Sequence, residues 1–324
     1  MHIKFTHNKT RTMVAALAAV ALSAGVAACG SDDSDSSSSG ASSDLSGAVK
    51  IDGSSTVAPF AQAGAELFNE EATDVKVTVG AAGTGGGFEK FCAGETDVSN
   101  ASRPIKDDEE VPICEKNGVT FSEVQVANYC IAIVSSKDLA IDCLTTDELK
   151  EIWNKGSKVK SLSEVKDGAP DTELSLYGPG TDSGTFDFFT DEINGEEGVT
   201  REDYEASEDD NVLVTGVSQD AGGFGYFGFS YYEQNADKLN LVAIDSGDGC
   251  VKPSKETIQD GTYKPLSRPI FMYPSAKAIA RPEVKGFMDF TLENQAAIAD
   301  AAQIVPMTDE QVTAAKAALT KAEA

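Results

Sequence analysis

Residues 48–105 read AVKIDGSSTVAPFAQAGAELFNEEATDVKVTVGAAGTGGGFEKFCAGETDVSNASRPI, and this stretch decides the fold. Twice a short apolar run (AVKID, 48–52; VKVTV, 75–79) gives way to a turn rich in glycine or hydroxyl groups. Each turn leads into an amphipathic segment, over about 56–70 and about 86–93. A short strand near Asp97–Asn100, a polar helix near 107–116 and a long strand over Val119–Val134 follow. Strands alternating with helices predict a mostly parallel α/β sheet.

The alternation continues with a helix at 145–153, a strand at 173–177, a helix after Ser183 and strands at 223–227 and 239–244. A new strand, RPIFMY, begins at Arg268, and helices at about 282–294 and 308–323 close the chain. No internal repeat is visible. The 277 residues from position 48 onward are more than one core usually serves, so two domains are expected.

Outward from this body, the N-terminus reads as an address. Residues 1–12 carry Lys4, Lys9 and Arg11 and no acid, and residues 13–28 are small, apolar and uncharged up to Cys29. That is the plan of a signal peptide, too short for a membrane span. Val26-Ala27-Ala28-Cys29 resembles a bacterial lipobox, whose cysteine is acylated and tethers the mature chain to the outer face of the cell membrane. Ser31–Gly47 is almost all Ser, Asp, Gly and Ala, a flexible linker spanning on the order of 20–25 Å.

Charge and histidine content narrow the function. With 26 Lys+Arg against 53 Asp+Glu the net charge is −27, and loss of the three cations in residues 1–28 takes it to −30. A nucleic-acid partner is excluded by that field. Both histidines, His2 and His7, fall in the leader. The mature chain therefore lacks the proton carrier of Ser-His-Asp and Cys-His catalysis and the imidazole ligands of most zinc sites.

Five cysteines remain, an odd number in an exported chain. Cys130 lies in the apolar run 129–134 and reads as a buried thiol; among the other four, Cys92–Cys114 and Cys143–Cys250 are the pairs expected. No C-x-x-C spacing suggests a metal, and no cofactor is expected.

Three turns before helices carry the candidate chemistry: Gly53-Ser54-Ser55-Thr56, Gly83-Thr84-Gly85-Gly86-Gly87, and Gly178 to Thr185 with Asp182, Ser183 and Gly184. Hydroxyls at a helix start cap free amides, and those amides with the helix dipole attract anions. Consecutive glycines let amides converge with no side chain in the way. The spacing is neither that of Walker A nor of a dinucleotide fingerprint. A fourth element, Ser102-Arg103-Pro104-Ile105, offers a forked cation that either grips an oxyanion or pairs with one of the many acids.

Together these blocks, with GGFGYFGFSYYEQN (222–235) and SRPIFMY (267–273), resemble the substrate-binding lipoproteins of bacterial phosphate ABC importers. The resemblance implies a two-lobed α/β fold of the type II periplasmic-binding-protein kind, with paired hinge strands and a ligand cleft. Lobe I would comprise 48–130 plus 266–324, and lobe II 131–265. It further implies that Thr56, the Val57 amide and Thr84 bind phosphate from one lobe and Ser183, the Gly184 amide and Thr185 from the other. Partners would be inorganic phosphate and a permease with its cytoplasmic ATPase, the chain itself being a monomer.

Two positions depart from the family pattern. Ser102 stands where the best-known members have an aspartate that accepts the phosphate proton, and Pro179 where they have an arginine. Arg103 and Asp182 are the expected substitutes, Asp182 as the acceptor that separates phosphate from sulfate. Rival readings are a binder of sulfate or molybdate, an exported phosphatase with Ser183 or Ser55 as nucleophile, and a phosphate-sensing surface protein.

Overall fold

A computed structural model describes residues 45–322. The signal peptide, Cys29 and most of the linker lie outside the described residues. Strand β1 (Ser46–Gly53) already includes two residues assigned to the linker from sequence, because Ser46 and Gly47 continue its ladder opposite Asp74 and Val75.

The first half repeats one unit. β1 leads into α1 (Ala58–Glu71), β2 (Asp74–Val79) into α2 (Gly83–Cys92), and β3 (Val98–Ala101) toward the short α3 (Val111–Lys116). β1 lies between β2 and β3, parallel to both, so the turns after β1 and β2 open at the same edge of the sheet. Ligands of open α/β sheets collect at such carboxyl ends.

Strand β4 (Val124–Ser136) is almost wholly buried and belongs to two sheets. Up to Cys130 it pairs antiparallel with β11 (Ser267–Pro274), and from Ile131 it pairs with β8 (Gly223–Gly228) and then β9 (Leu239–Asp245). The returning chain crosses at the same level, where Leu266 accepts the Ile131 amide at 2.9 Å. Two adjacent crossings make the hinge between the halves.

Beyond β4 come β5 (Cys143–Thr145), α4 (Thr146–Trp153), β6 (Ser175–Gly178) and α5 (Gly184–Phe189), the last running into one π turn over Thr190–Asn194. Next are β7 (Glu205–Ala206), α6 (Asp210–Gln219), β8, α7 (Phe229–Gln234), β9, β10 (Cys250–Val251) and α8 (Lys255–Gln259). β11 returns to the first sheet beside β3, and α9 (Ala276–Ile279), α10 (Pro282–Glu293), α11 (Gln295–Ala301) and α12 (Asp309–Ala322) end the described chain.

Each half has its own aromatic core. Phe68 of α1 meets Phe287 and Phe290 of α10 with ring centroids 5.6 and 5.3 Å apart. In the second half Trp153 is ringed by Phe189, Tyr204 and Tyr226. Truncating such a ring costs about 3–5 kcal/mol. Disulfides Cys92–Cys114 and Cys143–Cys250 are formed, and Cys130 is a buried thiol.

Two expectations need correction. Residues 119–123 are not strand, because Phe121 is drawn into a side cluster against Phe91 and Tyr273, beneath the first disulfide. Helix α11 was not foreseen: Asn294 ends α10 through its amide on Phe290, and its carbonyl then starts a second helix by accepting the Ile298 amide. Among the described residues no helix is long and apolar enough to cross a membrane.

Candidate functional site

The turn after β1 is built for close packing. Gly53 has φ +139°, and a Cβ there would lie 2.1 Å from the Asn100 carbonyl oxygen of β3. Only glycine fits this approach. Ser54 accepts the amides of Val57 (3.2 Å) and Ala58 (3.0 Å), tightening the entry to α1, which has no side-chain cap. The amides of Ser55 and Thr56 stay without a partner among the described residues. Val57 corrects an expectation: its side chain is fully buried and its amide is held by Ser54, so it does not line the cleft.

In the second turn the glycine run is not a loop ahead of the helix but its first turn, since α2 begins at Gly83, three residues earlier than the periodicity suggested. Few local contacts oppose this, as Gly83 and Gly85 have nothing within 4 Å of a notional Cβ. α2 has no side-chain cap, and its leading amides lack intrahelical acceptors. Thr84 Oγ1 lies 3.0 Å from Ser102 Oγ and accepts the Ser102 amide at 3.3 Å, tying the second turn to the end of β3. Asp52 braces both turns by accepting from the Gly53 and Ala82 amides and pairing with Lys90. Burial alone would raise the Asp52 carboxyl, but Lys90 and the two amides hold it below its usual range.

The third turn comes from the other half of the molecule. Ser183 caps α5, accepting the Thr185 amide at 3.2 Å. A Cβ on Gly184 would sit 2.6 Å from Ser55 Oγ, Thr56 N and Thr56 Oγ1, and Thr56 Oγ1 donates to the Gly184 carbonyl at 3.2 Å. Turns 128 residues apart are thus in contact. Thr185 shares a hydrogen bond with Tyr129 of β4, and burial raises the Tyr129 phenol.

These turns enclose a cavity of about 550 Å³. Ser55, Thr56, Thr84, Gly85, Ser102 and Arg103 face it from one side and Gly184 from the other. Ser183 and Thr185 stand just behind Gly184, their hydroxyls engaged by the cap and by Tyr129, and neither lines the cavity. Asp182 is also a correction. It precedes the helix, is exposed, and its amide donates to Glu208 at 3.3 Å, so its carboxylate is not part of the wall. The carboxyl groups that are part of it, Asp187, Asp191 and Glu197, lie one or more turns later.

Two arginines reach the cavity in opposite states. Arg103 is engaged: its η nitrogens donate to both Glu110 oxygens at 2.8 and 2.7 Å. Although burial would raise the Glu110 carboxyl, this fork and the Lys106 amide hold it down. Arg268 is not engaged. It sits in β11 opposite Tyr129, its guanidinium 3.6 Å over the Phe188 ring, its Nε buried with no hydrogen-bond partner. It forms no ion pair among the described residues, and burial pushes its pKa down to about 10.

Sequence reasoning missed Arg268 as a site residue, although a signal was present. The tetrapeptide Ser-Arg-Pro-Ile occurs twice, at 102–105 and 267–270, and both copies supply an arginine to the same cavity. Asp187 was also missed, four residues after the Ser183 cap on α5. Burial, aided by the Glu197 charge and opposed by Arg268, lifts its carboxyl to about 6.

Comparison with known proteins bears on this geometry. Residues 36–295 match the family model described as a PBP superfamily domain. Protein SphX of Synechococcus elongatus is 45% identical over 270 residues, covering 82% of this chain and 80% of that protein. The phosphate-binding protein PstS of Staphylococcus saprophyticus is 41% identical, with 82% of each chain covered. Among solved structures, a possible phosphate binding protein from Planctomyces limnophilus superposes with a TM-score of 0.80 at 40% identity, over 86% of this chain and all of that one. The two halves joined at β4 and β11 are accordingly the lobes of a binding-protein fold. On sequence and fold alike, the chain belongs to the PBP superfamily and, within it, to the PstS-type phosphate-binding proteins.

Proposed function

We propose that this chain captures inorganic phosphate outside the cytoplasm and delivers it to the permease of an ABC importer. The observation that carries the reading is Arg268, a desolvated cation without an anionic partner, facing a cavity that also receives two uncapped helix starts. Leaving a buried charge unmatched costs several kcal/mol, and a small anion in the cavity would remove that cost. Each helix start adds roughly half a positive charge. The PstS relative and the Planctomyces limnophilus structure are both described as phosphate-binding proteins, in agreement with such a ligand.

Thr56, Thr84, Ser102, Gly184 and the Ser55 hydroxyl would supply neutral donors, with Arg268 as the principal cation and Arg103 behind it. The lobes, 48–130 with 266–324 and 131–265, would close about the two crossings at Cys130/Ile131 and Leu266/Ser267. Contact between Thr56 and Gly184 fits the closed form. No bond of the ligand is made or broken in this reading. Ser183, one of the two nucleophiles of the phosphatase reading, accepts the Thr185 amide and stands outside the cavity lining. Acylation of Cys29 would keep the body near the membrane, as a monomer.

Calorimetric titration of the full chain with phosphate, arsenate and sulfate tests the reading. Phosphate should bind tightly, arsenate should compete with it, and sulfate should fail to compete. Equal binding of sulfate, or no heat with phosphate, would overturn it.

A further inference from the structure

Away from the cleft, the hinge carries a second set of contacts between the halves. Side chains of a strand alternate between its two faces. On β4 Tyr129 turns to Thr185 on the cleft side, so Asn128 turns the other way, where it donates to the Pro306 carbonyl at 3.2 Å and to Gln311 of α12 at 3.0 Å. Gln259 of α8 reaches the same place from the second half. It donates to the Pro306 carbonyl at 2.9 Å, and its own carbonyl accepts from Gln311 at 3.2 Å. Beside them Gln234, the last residue of α7, donates to the side-chain oxygen of Gln303. A second, smaller cavity of about 190 Å³ lies here, with Ser230, Gln234 and Lys255 on one side and Ala296, Gln303 and Pro306 on the other. At this spot the halves meet through the ends of long side chains across a gap.

Gln303 breaks a local rule to be there. It follows α11 at the position where helices turn off through the left-handed region, and its φ of +57° lies in that region, which favours glycine or asparagine. No other non-glycine residue among the described residues has a positive φ. Glycine would hold the same turn with less strain, but it could not reach Gln234. The glutamine side chain is also braced, because its Nε2 donates to the Asp300 carbonyl at 3.2 Å and leaves Oε1 for Gln234. Local rules are broken in this way where function needs the side chain.

We propose, resting on the phosphate reading above, that Gln303 is a positioning residue for lobe closure: its bond to Gln234 belongs to the closed arrangement and raises affinity for phosphate without touching it. A rotation about the crossings at Cys130/Ile131 and Leu266/Ser267 that parts Thr56 from Gly184 also displaces α7 against residues 303–306. The far bond and the contact across the cleft are then lost together. Apparent affinity scales with the fraction of molecules in the binding-competent form, so a bond made only in that form strengthens binding from a distance.

The experiment is calorimetric titration of the full chain with inorganic phosphate, on Gln303→Gly, Gln234→Ala and the double variant, with urea midpoints alongside. Gln303→Gly should bind phosphate about 3- to 10-fold more weakly, the worth of one hydrogen bond, while its urea midpoint stays level or rises because glycine suits the turn. Gln234→Ala should lose a similar factor, and the double variant no more than either alone. Wild-type affinity in both single variants, or losses that multiply in the double, would overturn the proposal. A second measurement needs no ligand. With spin labels at Lys76→Cys in one lobe and Lys158→Cys in the other, both exposed positions, ligand-free Gln303→Gly should populate longer distances between the lobes than wild type. Identical distance distributions would overturn this inference alone, whereas no heat with phosphate in wild type would sink the functional reading and leave the label measurement to decide this one.

Discussion

The two walls of the cleft differ in kind. Lobe I offers glycine-rich helix starts, the hydroxyls of Thr56, Thr84 and Ser102, and an arginine already matched by Glu110. Lobe II offers one glycine in close contact and three carboxyl groups. Lobe I would thus meet an oxyanion with amides and hydroxyls, and lobe II mainly with acid. Arg268 stands between them on the hinge strand, and its charge is the attraction that makes the acidic wall tolerable.

The largest effect should come from separating the two arginines. Arg268→Gln is expected to weaken phosphate binding by about 100-fold or more, the scale of losing a desolvated charge partner. Arg103→Gln should cost about tenfold or less, since its fork is held by Glu110. Calorimetry on both variants decides the matter, and equal losses would erase the distinction drawn here.

Next in size is the contact between the walls. Gly184→Val places carbon atoms against the Thr56 backbone, where even a Cβ would lie at 2.6 Å. Overpacking of this kind costs about 1–3 kcal/mol, so phosphate affinity should fall roughly 5- to 100-fold. Because the clash exists only when the lobes meet, the urea midpoint of the ligand-free variant should stay near that of wild type. A large drop in that midpoint would mean that the turn holds the fold together even without ligand.

A smaller effect concerns the burden of acid behind the lobe II wall. Asp210, at the start of α6, has a buried Oδ1 without a partner, and burial lifts its carboxyl to about 6 despite a bond from the Gly228 amide. A carboxyl raised in the folded state favours folding below its unfolded pKa near 4, and loses that contribution as pH rises through about 6. Asp210→Asn should therefore stabilise the protein by about 1–2 kcal/mol at pH 8. The gain should vanish below about pH 4. Urea titrations at the two pH values test this, and an equal gain at both would assign the effect to packing instead of charge.

Much of the architecture was legible because its signals are local. Strand-to-helix alternation, glycine at the turns and a hydroxyl at the α5 cap each act within a few residues. Boundaries slipped where distant partners intervened, as when Phe121 left the expected strand to join Phe91 and Tyr273. The cleft was legible in its turns and not in its charges. Asp182 looked suitable by proximity in sequence, but it precedes the first turn of α5 and points to solvent, whereas the helix carries Asp187 inward.

What the sequence determined by itself was backbone conformation: where strands stop, which turns lead into helices, and which cysteine stays in the apolar strand. Only the tertiary structure decided which charges meet. Arg103 and Arg268 sit in identical tetrapeptides, yet one lies beside Glu110 and the other over Phe188. Local sequence acts through torsion angles and nearby hydrogen bonds, whereas a charge's worth depends on what surrounds it after burial. For Arg268 those surroundings, Phe188 and Tyr129, come from segments far away in the sequence, whereas Arg103 finds Glu110 seven residues on.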